Sequence, residues 1–206
     1  MVKTESTMLP LGSLLPAFDL PLVKENIQNL DLFPGLIDRM NSNMLGSKPV
    51  LFMILCAHCP FVKHIEDALT SLYNDFASEI DFVGVASNSL ETHPEDGPLF
   101  LSEQILKNGW TFPYLLDSDQ TLAKSLRAAC TPDFFLFTSG LNENRKLAYR
   151  GQFDDSRPTN NILPAGSDLR RALEAVLDFQ QVSFIQKPSI GCNIKWIPGL
   201  EPSWFN

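Results

Sequence analysis

Val50-Leu51-Phe52-Met53-Ile54-Leu55-Cys56-Ala57-His58-Cys59-Pro60 is the stretch that decides the fold. Six apolar residues run unbroken between Lys48-Pro49 and the first cysteine. Strands covered on both faces look like this, and they sit centrally in mainly parallel sheets. After Pro60 the period changes. Phe61, Ile65, Ala68, Leu69, Leu72, Tyr73 and Phe76 recur mostly at spacings of three and four, which predicts a helix with one apolar stripe. Pro60 falls in its first turn, where proline is tolerated. The two cysteines therefore stand where a buried strand turns into a helix.

Outward from this point, Ile80–Ala86 reads as a second buried strand and Ser87–Pro98 as a polar loop. A helical stretch then runs to Lys107 and stops at Asn108-Gly109. Phe112–Leu116 predicts a short strand, and Asp117–Gln120 offers the start of a helix through Ala128. Asp133–Phe137 and Lys146–Arg150 predict a hairpin, and Asp168–Phe179 a final helix. Residues 1–20 read as an extended arm entering a short strand at Phe18-Asp19-Leu20, with a short helix expected near Gly35–Asn43. Gln186–Asn206 reads as ordered irregular chain anchored by Trp196 and Trp204. Strands alternating with helices, then a hairpin and a helix, argue for one α/β domain with a central mixed sheet and helices on both faces. Its core spans about residues 48–181, with an N-terminal extension 1–47 and a C-terminal tail 182–206.

The chain has 206 residues, enough to bury a core without disulfide staples. Hydrophobic residues make up 44% and charged residues 19%, which excludes wholesale disorder. Sixteen basic against 24 acidic residues leave a net charge of −8 and no basic run, so nucleic acid is excluded as an expected partner. The most apolar stretch, Pro49–Ala57, is about half a membrane span, and the opening residues lack a secretory pattern. A cytoplasmic location, without membrane contact, is the expectation. Four cysteines in a reducing compartment point to redox or metal chemistry rather than structural bridges.

Two thiols at a C-x-x-C spacing on a helix N-terminus can close a disulfide across one turn. The helix dipole and free backbone N–H groups stabilise a thiolate there, which predicts a lowered pKa for an exposed Cys56. Protonated His58 adds positive charge beside the sulfurs, and Lys63 and His64 carry the same sign. The chemistry implied is thiol–disulfide exchange, with Cys56 attacking and Cys59 resolving. One competing reading is half of a zinc site completed by Cys130, Cys192 or a histidine, but the second paired motif that such a site needs is missing. The other is a pair of inert core cysteines. No metal or cofactor is expected. Asp154-Asp155-Ser156-Arg157 reads as a local ion-paired turn, and His93 to Asp96 as a polar loop near the sheet's functional end.

The strand, the C-x-x-C, the long helix and Thr131-Pro132 leading into Asp133–Phe137 together resemble the thioredoxin fold. The resemblance implies a cis Pro132 facing the two sulfurs and a Thr131 backbone that pairs with an extended substrate peptide. A closer similarity is to the peroxiredoxin-like alkyl hydroperoxide reductase/thiol-specific antioxidant superfamily, in its C-x-H-C group. It is carried by Cys56–His64, His93–Pro98, Cys130–Phe135, Tyr149–Pro158 and Gln186–Trp196. The peroxiredoxin P-x-x-x-[TS]-x-x-C motif is half matched. Counting from Cys56, Pro49 holds the proline place and Met53 the hydroxyl place. Counting from Cys59, Phe52 and Cys56 hold them. Val50 stands where thioredoxin has a buried acid. A histidine before the second cysteine implies a more oxidising pair than that of thioredoxin.

Cys130, next to Thr131-Pro132, is either a further redox group or a buried small residue. Cys192 is either a core residue of the tail or, as in some two-Cys peroxiredoxins, a C-terminal resolving group. The reading reached from sequence is a thiol–disulfide oxidoreductase with an antioxidant role. Cys56 and Cys59 are its redox pair, tuned by His58, and Thr131 and Pro132 hold the substrate. The alternatives are a thiol peroxidase reducing hydroperoxides and a non-catalytic thioredoxin-fold binding module. The implied partners are a protein or small-molecule disulfide or hydroperoxide and a thiol reductant. A homodimer is the oligomer that the resemblance implies.

Overall fold

The computed structural model describes residues 3–23, 38–141 and 144–205. Strand β1 (Lys3–Glu5) and strand β2 (Asp19–Pro21) form the N-terminal arm, followed by β3 (Arg39–Asn41). The central elements are β4 (Val50–Ile54), α1 (Pro60–Phe76), β5 (Asp81–Ala86), α2 (Pro98–Asn108) and β6 (Tyr114–Leu116). Then come α3 (Thr121–Leu126), β7 (Cys130–Thr131), β8 (Asp133–Phe137), β9 (Leu147–Gly151), α4 (Ser167–Leu177) and β10 (Ile190–Asn193). The main sheet has the order β6-β5-β4-β8-β9, with β6, β5 and β4 parallel and β8 and β9 antiparallel to their neighbours. This is the central mixed sheet expected from the sequence.

The unbroken apolar run of β4 has a direct cause. Leu51 and Met53 enter one hydrophobic cluster with α1, α2 and α4, while Val50, Phe52 and Ile54 enter a second cluster on the opposite face. β8 divides in the same way, Phe134 and Leu136 to the first side and Phe135 and Phe137 to the second. A strand sandwiched in this manner has no face on which a polar residue is cheap. The α1 stripe, Val62, Ile65, Leu69, Leu72 and Phe76, covers the first face. The second is covered by α3, by Leu15, Phe18 and Met40 of the N-terminal extension, and by Ile194 and Trp196 of the tail. Both extensions therefore complete the core. No helix among the described residues is long and apolar enough to cross a membrane.

Three expectations differ from the structure. Part of the helix expected near Gly35–Asn43 lies outside the described residues. Its remainder is β3, paired antiparallel with β2, and then a 3-10 turn at Ser42–Met44. Helix α3 ends at Leu126 because Arg127 adopts a left-handed conformation, although Asp117 caps it as its position implied, accepting the N–H groups of Leu122 and Ala123. The tail is not wholly irregular. β10 pairs antiparallel with both β1 and β7 and builds a second, three-stranded sheet, order β1-β10-β7. Trp196 packs edge-on against Trp204 at 5.9 Å and anchors the tail as expected.

Candidate active site

β4 delivers Cys56 at its carboxyl end, and Cys59 is the N-cap of α1 with Pro60 behind it. The Thr131–Pro132 peptide bond is cis and sets Thr131 against both sulfurs. Thr131 Oγ1 lies 3.4 Å from Cys56 Sγ, and the Thr131 carbonyl oxygen lies 3.3 Å from Cys59 Sγ. A third sulfur joins them. Cys192 Sγ stands 2.9 Å from Cys59 Sγ, because β10 pairs with β7 in the register Cys192 to Thr131. Cys56, Cys59 and Cys130 are free thiols, and all four cysteines are buried. Cys130 is not part of this group. Its Sγ faces the Pro132 carbonyl at 3.8 Å, and burial pushes its thiol well above the usual range.

The charge is placed differently from the sequence expectation. Cys56 is fully buried, and that burial, followed by the neighbouring Cys59 sulfur and the Asp96 carboxylate, pushes its thiol well up. Cys59 is instead held well below the ordinary thiol range. The Cys192 thiol contributes most, then the Cys56 thiol, with Thr131 and the Val62 N–H of the first helical turn adding to them against the cost of burial. The helix N-terminus thus acts on the cysteine that caps it. The Cys192 thiol is pushed up in return, by Cys59 first and then by burial.

A buried carboxylate clamps the loop between the cysteines. Asp96 Oδ1 accepts the N–H groups of Ala57 at 2.9 Å and His58 at 3.2 Å. Asp96 Oδ2 lies 2.6 Å from His58 Nδ1 and accepts from Asn88 Nδ2, also at 2.6 Å. Asn88 Oδ1 accepts the N–H of Lys195, which fastens the tail to the same point. Burial alone would raise the Asp96 carboxyl, but His58, Asn88 and the loop N–H groups together hold it below its ordinary value. In turn the Asp96 hydrogen bond raises His58, which stacks on His93 with ring centroids 5.5 Å apart.

Behind Cys56 a second polar chain enters the core. Gln104 Nε2 donates to the Cys56 carbonyl at 3.2 Å and to Glu66 Oε1 at 2.9 Å, and Lys107 Nζ reaches Glu66 Oε2 at 2.7 Å. These bonds satisfy a carboxylate on the inward face of α1. Sequence reasoning missed Glu66 and Gln104, since each looks like an ordinary exposed helix residue. Asp96 and His93 were placed in a polar loop and not weighed as anchors. The one available signal was an acid close to a run of small polar residues.

Two further expectations find their places. Arg157 holds a local turn by donating to the backbone oxygens of Asp154 and Ser156, both at 2.6 Å, rather than by an ion pair with Asp154. Beside Pro132 lies a cavity of about 20 Å³ bordered by Phe61, His64, Arg157 and Ser189, room for one water. The backbone edge of Thr131 pairs with the chain's own Cys192. Among the described residues, two groups of three side chains bring donor atoms within 4.8 Å of one another, namely Cys56, His58 and Asp96, and His58, His93 and Glu95. The first is already consumed by the His58–Asp96 pair.

Comparison with known proteins fits this geometry. The AhpC/TSA family description matches residues 12–153. The chain is 40% identical to an uncharacterized conserved protein from Geobacillus kaustophilus, covering 96% of this chain and 98% of that one with a TM-score of 0.83. It is 36% identical to a hypothetical protein from Sinorhizobium meliloti 1021, covering 95% and 100% with a TM-score of 0.81. AhpC of Mycobacterium tuberculosis, 17% identical over 84% of this chain and 95% of its own, has a TM-score of 0.53 and shares the fold alone. No curated protein matches. With a thioredoxin-like fold and a family match over most of its length, the chain belongs to the AhpC/TSA family.

Proposed function

We propose that the protein is a thiol–disulfide oxidoreductase whose redox pair is Cys56 and Cys59. The observation that carries this reading is the C-x-x-C pair at the start of α1, with Thr131 touching both sulfurs. Cys56 attacks one sulfur of a substrate disulfide while its proton passes to the adjacent Cys59 thiolate. One S–S bond breaks, a mixed disulfide forms at Cys56, and the first substrate thiolate leaves and takes a proton. Cys59, again deprotonated, attacks the Cys56 sulfur and expels the second substrate thiolate. The protein dithiol is oxidised by two electrons and the substrate disulfide is reduced to two thiols. An external thiol reverses the change in the protein.

Burial of the pair favours small substrates. The tail covers the Thr131 edge and the cavity at Pro132 has room for only about one water, so an extended protein segment has no place beside the sulfurs in this arrangement. The same observation supports a second reading as a thiol peroxidase. There the Cys59 thiolate takes the terminal oxygen of a hydroperoxide and becomes a sulfenic acid, releasing an alcohol or water. Cys56 then attacks that sulfur, closes the disulfide and releases water.

His58, raised by its hydrogen bond to Asp96, lowers the cost of the thiolate in both cases when it carries its proton. The test is stopped-flow reaction of the reduced protein with a small disulfide and, separately, with hydrogen peroxide, in wild type and in Cys56→Ser. Fast exchange with the disulfide that is lost in Cys56→Ser supports the first reading. Fast peroxide consumption favours the second. Slow reaction with both refutes the two together.

A further inference from the structure

We propose that Cys192 is a third redox cysteine, which takes over the disulfide from Cys56 and makes Cys59 a pivot between two partners. The inference rests on the exchange reading above for its starting disulfide and on the sulfur geometry for everything else. Cys192 Sγ lies 2.9 Å from Cys59 Sγ, well inside ordinary sulfur contact, although the residues are 133 positions apart. The backbone is built for this approach. β10 is tied on one side to β1 and on the other to Thr131, itself in contact with both sulfurs of the C-x-x-C pair. A side chain at Gly191 would place its Cβ 2.0 Å from the Thr131 carbonyl oxygen, so glycine alone lets the strand come this close.

Once Cys56 and Cys59 are joined, the Cys192 sulfur attacks Cys59. The Cys56–Cys59 bond breaks, the Cys59–Cys192 bond forms, and the proton of the Cys192 thiol passes to the departing Cys56 sulfur. No external oxidant is consumed, and the number of disulfides is unchanged. Each form keeps one outer cysteine as a thiol in this buried cluster, Cys192 before the exchange and Cys56 after it. Two consequences follow from the new bond. Cys56 becomes a thiol again while the protein stays oxidised. The tail, held until then by β-pairing and the Asn88–Lys195 bond, becomes covalently attached to the start of α1. Cys130, turned toward the Pro132 carbonyl, takes no part.

The first test uses the full chain without substitution. Reduced protein is mixed with an equimolar small disulfide, quenched at successive times, alkylated, and its linked peptides are mapped by mass spectrometry. The Cys56–Cys59 link is expected first. The Cys59–Cys192 link then grows at its expense, at constant total disulfide. Thermal unfolding supplies a second readout. Oxidised wild type melts above oxidised Cys192→Ser, because a Cys59–Cys192 bond closes a 133-residue span and a C-x-x-C bond closes almost none. A Cys192 that remains fully alkylatable while the Cys56–Cys59 link accumulates overturns the proposal and leaves the exchange reading intact. A small disulfide left unconsumed, with no link at Cys59, overturns the exchange reading and the relay with it.

Discussion

Replacing Asp96 by Asn removes one charge and reverses one hydrogen-bonding group at the centre of the clamp. Asn can still accept the Ala57 and His58 N–H groups through its oxygen, as Oδ1 does now. Its amide nitrogen then faces two donors, Asn88 Nδ2 and protonated His58 Nδ1, each now 2.6 Å from Oδ2. Asn88 cannot turn over to help without releasing the Lys195 N–H held by its own oxygen. Two charge-assisted bonds are lost in a site with almost no solvent, and each is worth about 1.5–3 kcal/mol. Neutralisation of His58 recovers part of this, so the expected loss is about 2–4 kcal/mol.

The sign of the pH dependence follows from the two shifts. His58 is raised by Asp96, so its contribution is complete below about pH 6.5 and fades as pH climbs through its folded value. Asp96 is lowered, so its contribution is present above about pH 4 and is lost as pH falls through its own folded value. The stability gap between wild type and Asp96→Asn is therefore widest between those limits and narrows on either side of them. Urea unfolding of the reduced proteins at several pH values measures the gap, and an NMR titration of His58 measures the shift. A gap that stays constant through the neutral range, or a His58 pKa that does not fall in the variant, would refute the reasoning.

Three further outcomes are expected. Gly191→Ala forces β10 away from Thr131 and should cost about 1–3 kcal/mol while slowing formation of any Cys192 disulfide, as chemical denaturation and peptide mapping would read. Asp133 is fully buried and accepts from Ser6 Oγ at 2.9 Å, and burial raises its carboxyl to about 7. Because the unfolded acid ionises near its ordinary value, wild-type stability should fall by about 3 kcal/mol as pH rises from about 4 to 7. Asp133→Asn should flatten that slope, and an unchanged slope in the variant removes Asp133 as its source. The potential of the Cys56–Cys59 pair, measured against glutathione buffers, should be less negative than the roughly −270 mV of thioredoxin, since His58 and the helix end stabilise the thiolate form. An equal or lower potential would show that this stabilisation is cancelled by burial.

The sheet was legible because its chemistry is local. β4 and β8 announce themselves by uninterrupted apolar runs, and α1 by a stripe whose period is that of a helix. The C-x-x-C and the Thr131-Pro132 pair were also visible as short motifs, and both lie where their order in the chain implied. What escaped depends on distance along the chain. β10 has four residues and no period of its own, and it is a strand because β1 and β7 offer it edges on both sides. The burial of Cys56 escaped for the same reason, since the elements that cover it are supplied by Gln104, Asp96 and the tail. Asp96 is separated from the loop it clamps by 38 residues, and no local pattern distinguishes an acid that accepts four hydrogen bonds from one that faces water.

The strand that closes the thiol site is also made late. Cys192 follows Thr131 by 61 residues, an interval of roughly 3–12 s at ordinary rates of synthesis. Throughout that interval the nascent chain carries Cys56, Cys59 and the bare edge of Thr131 without their cover. A growing polypeptide is then exposed to edge-to-edge pairing that the finished protein resists. Translation speed between β7 and β10 therefore sets how long the cell must shield this edge.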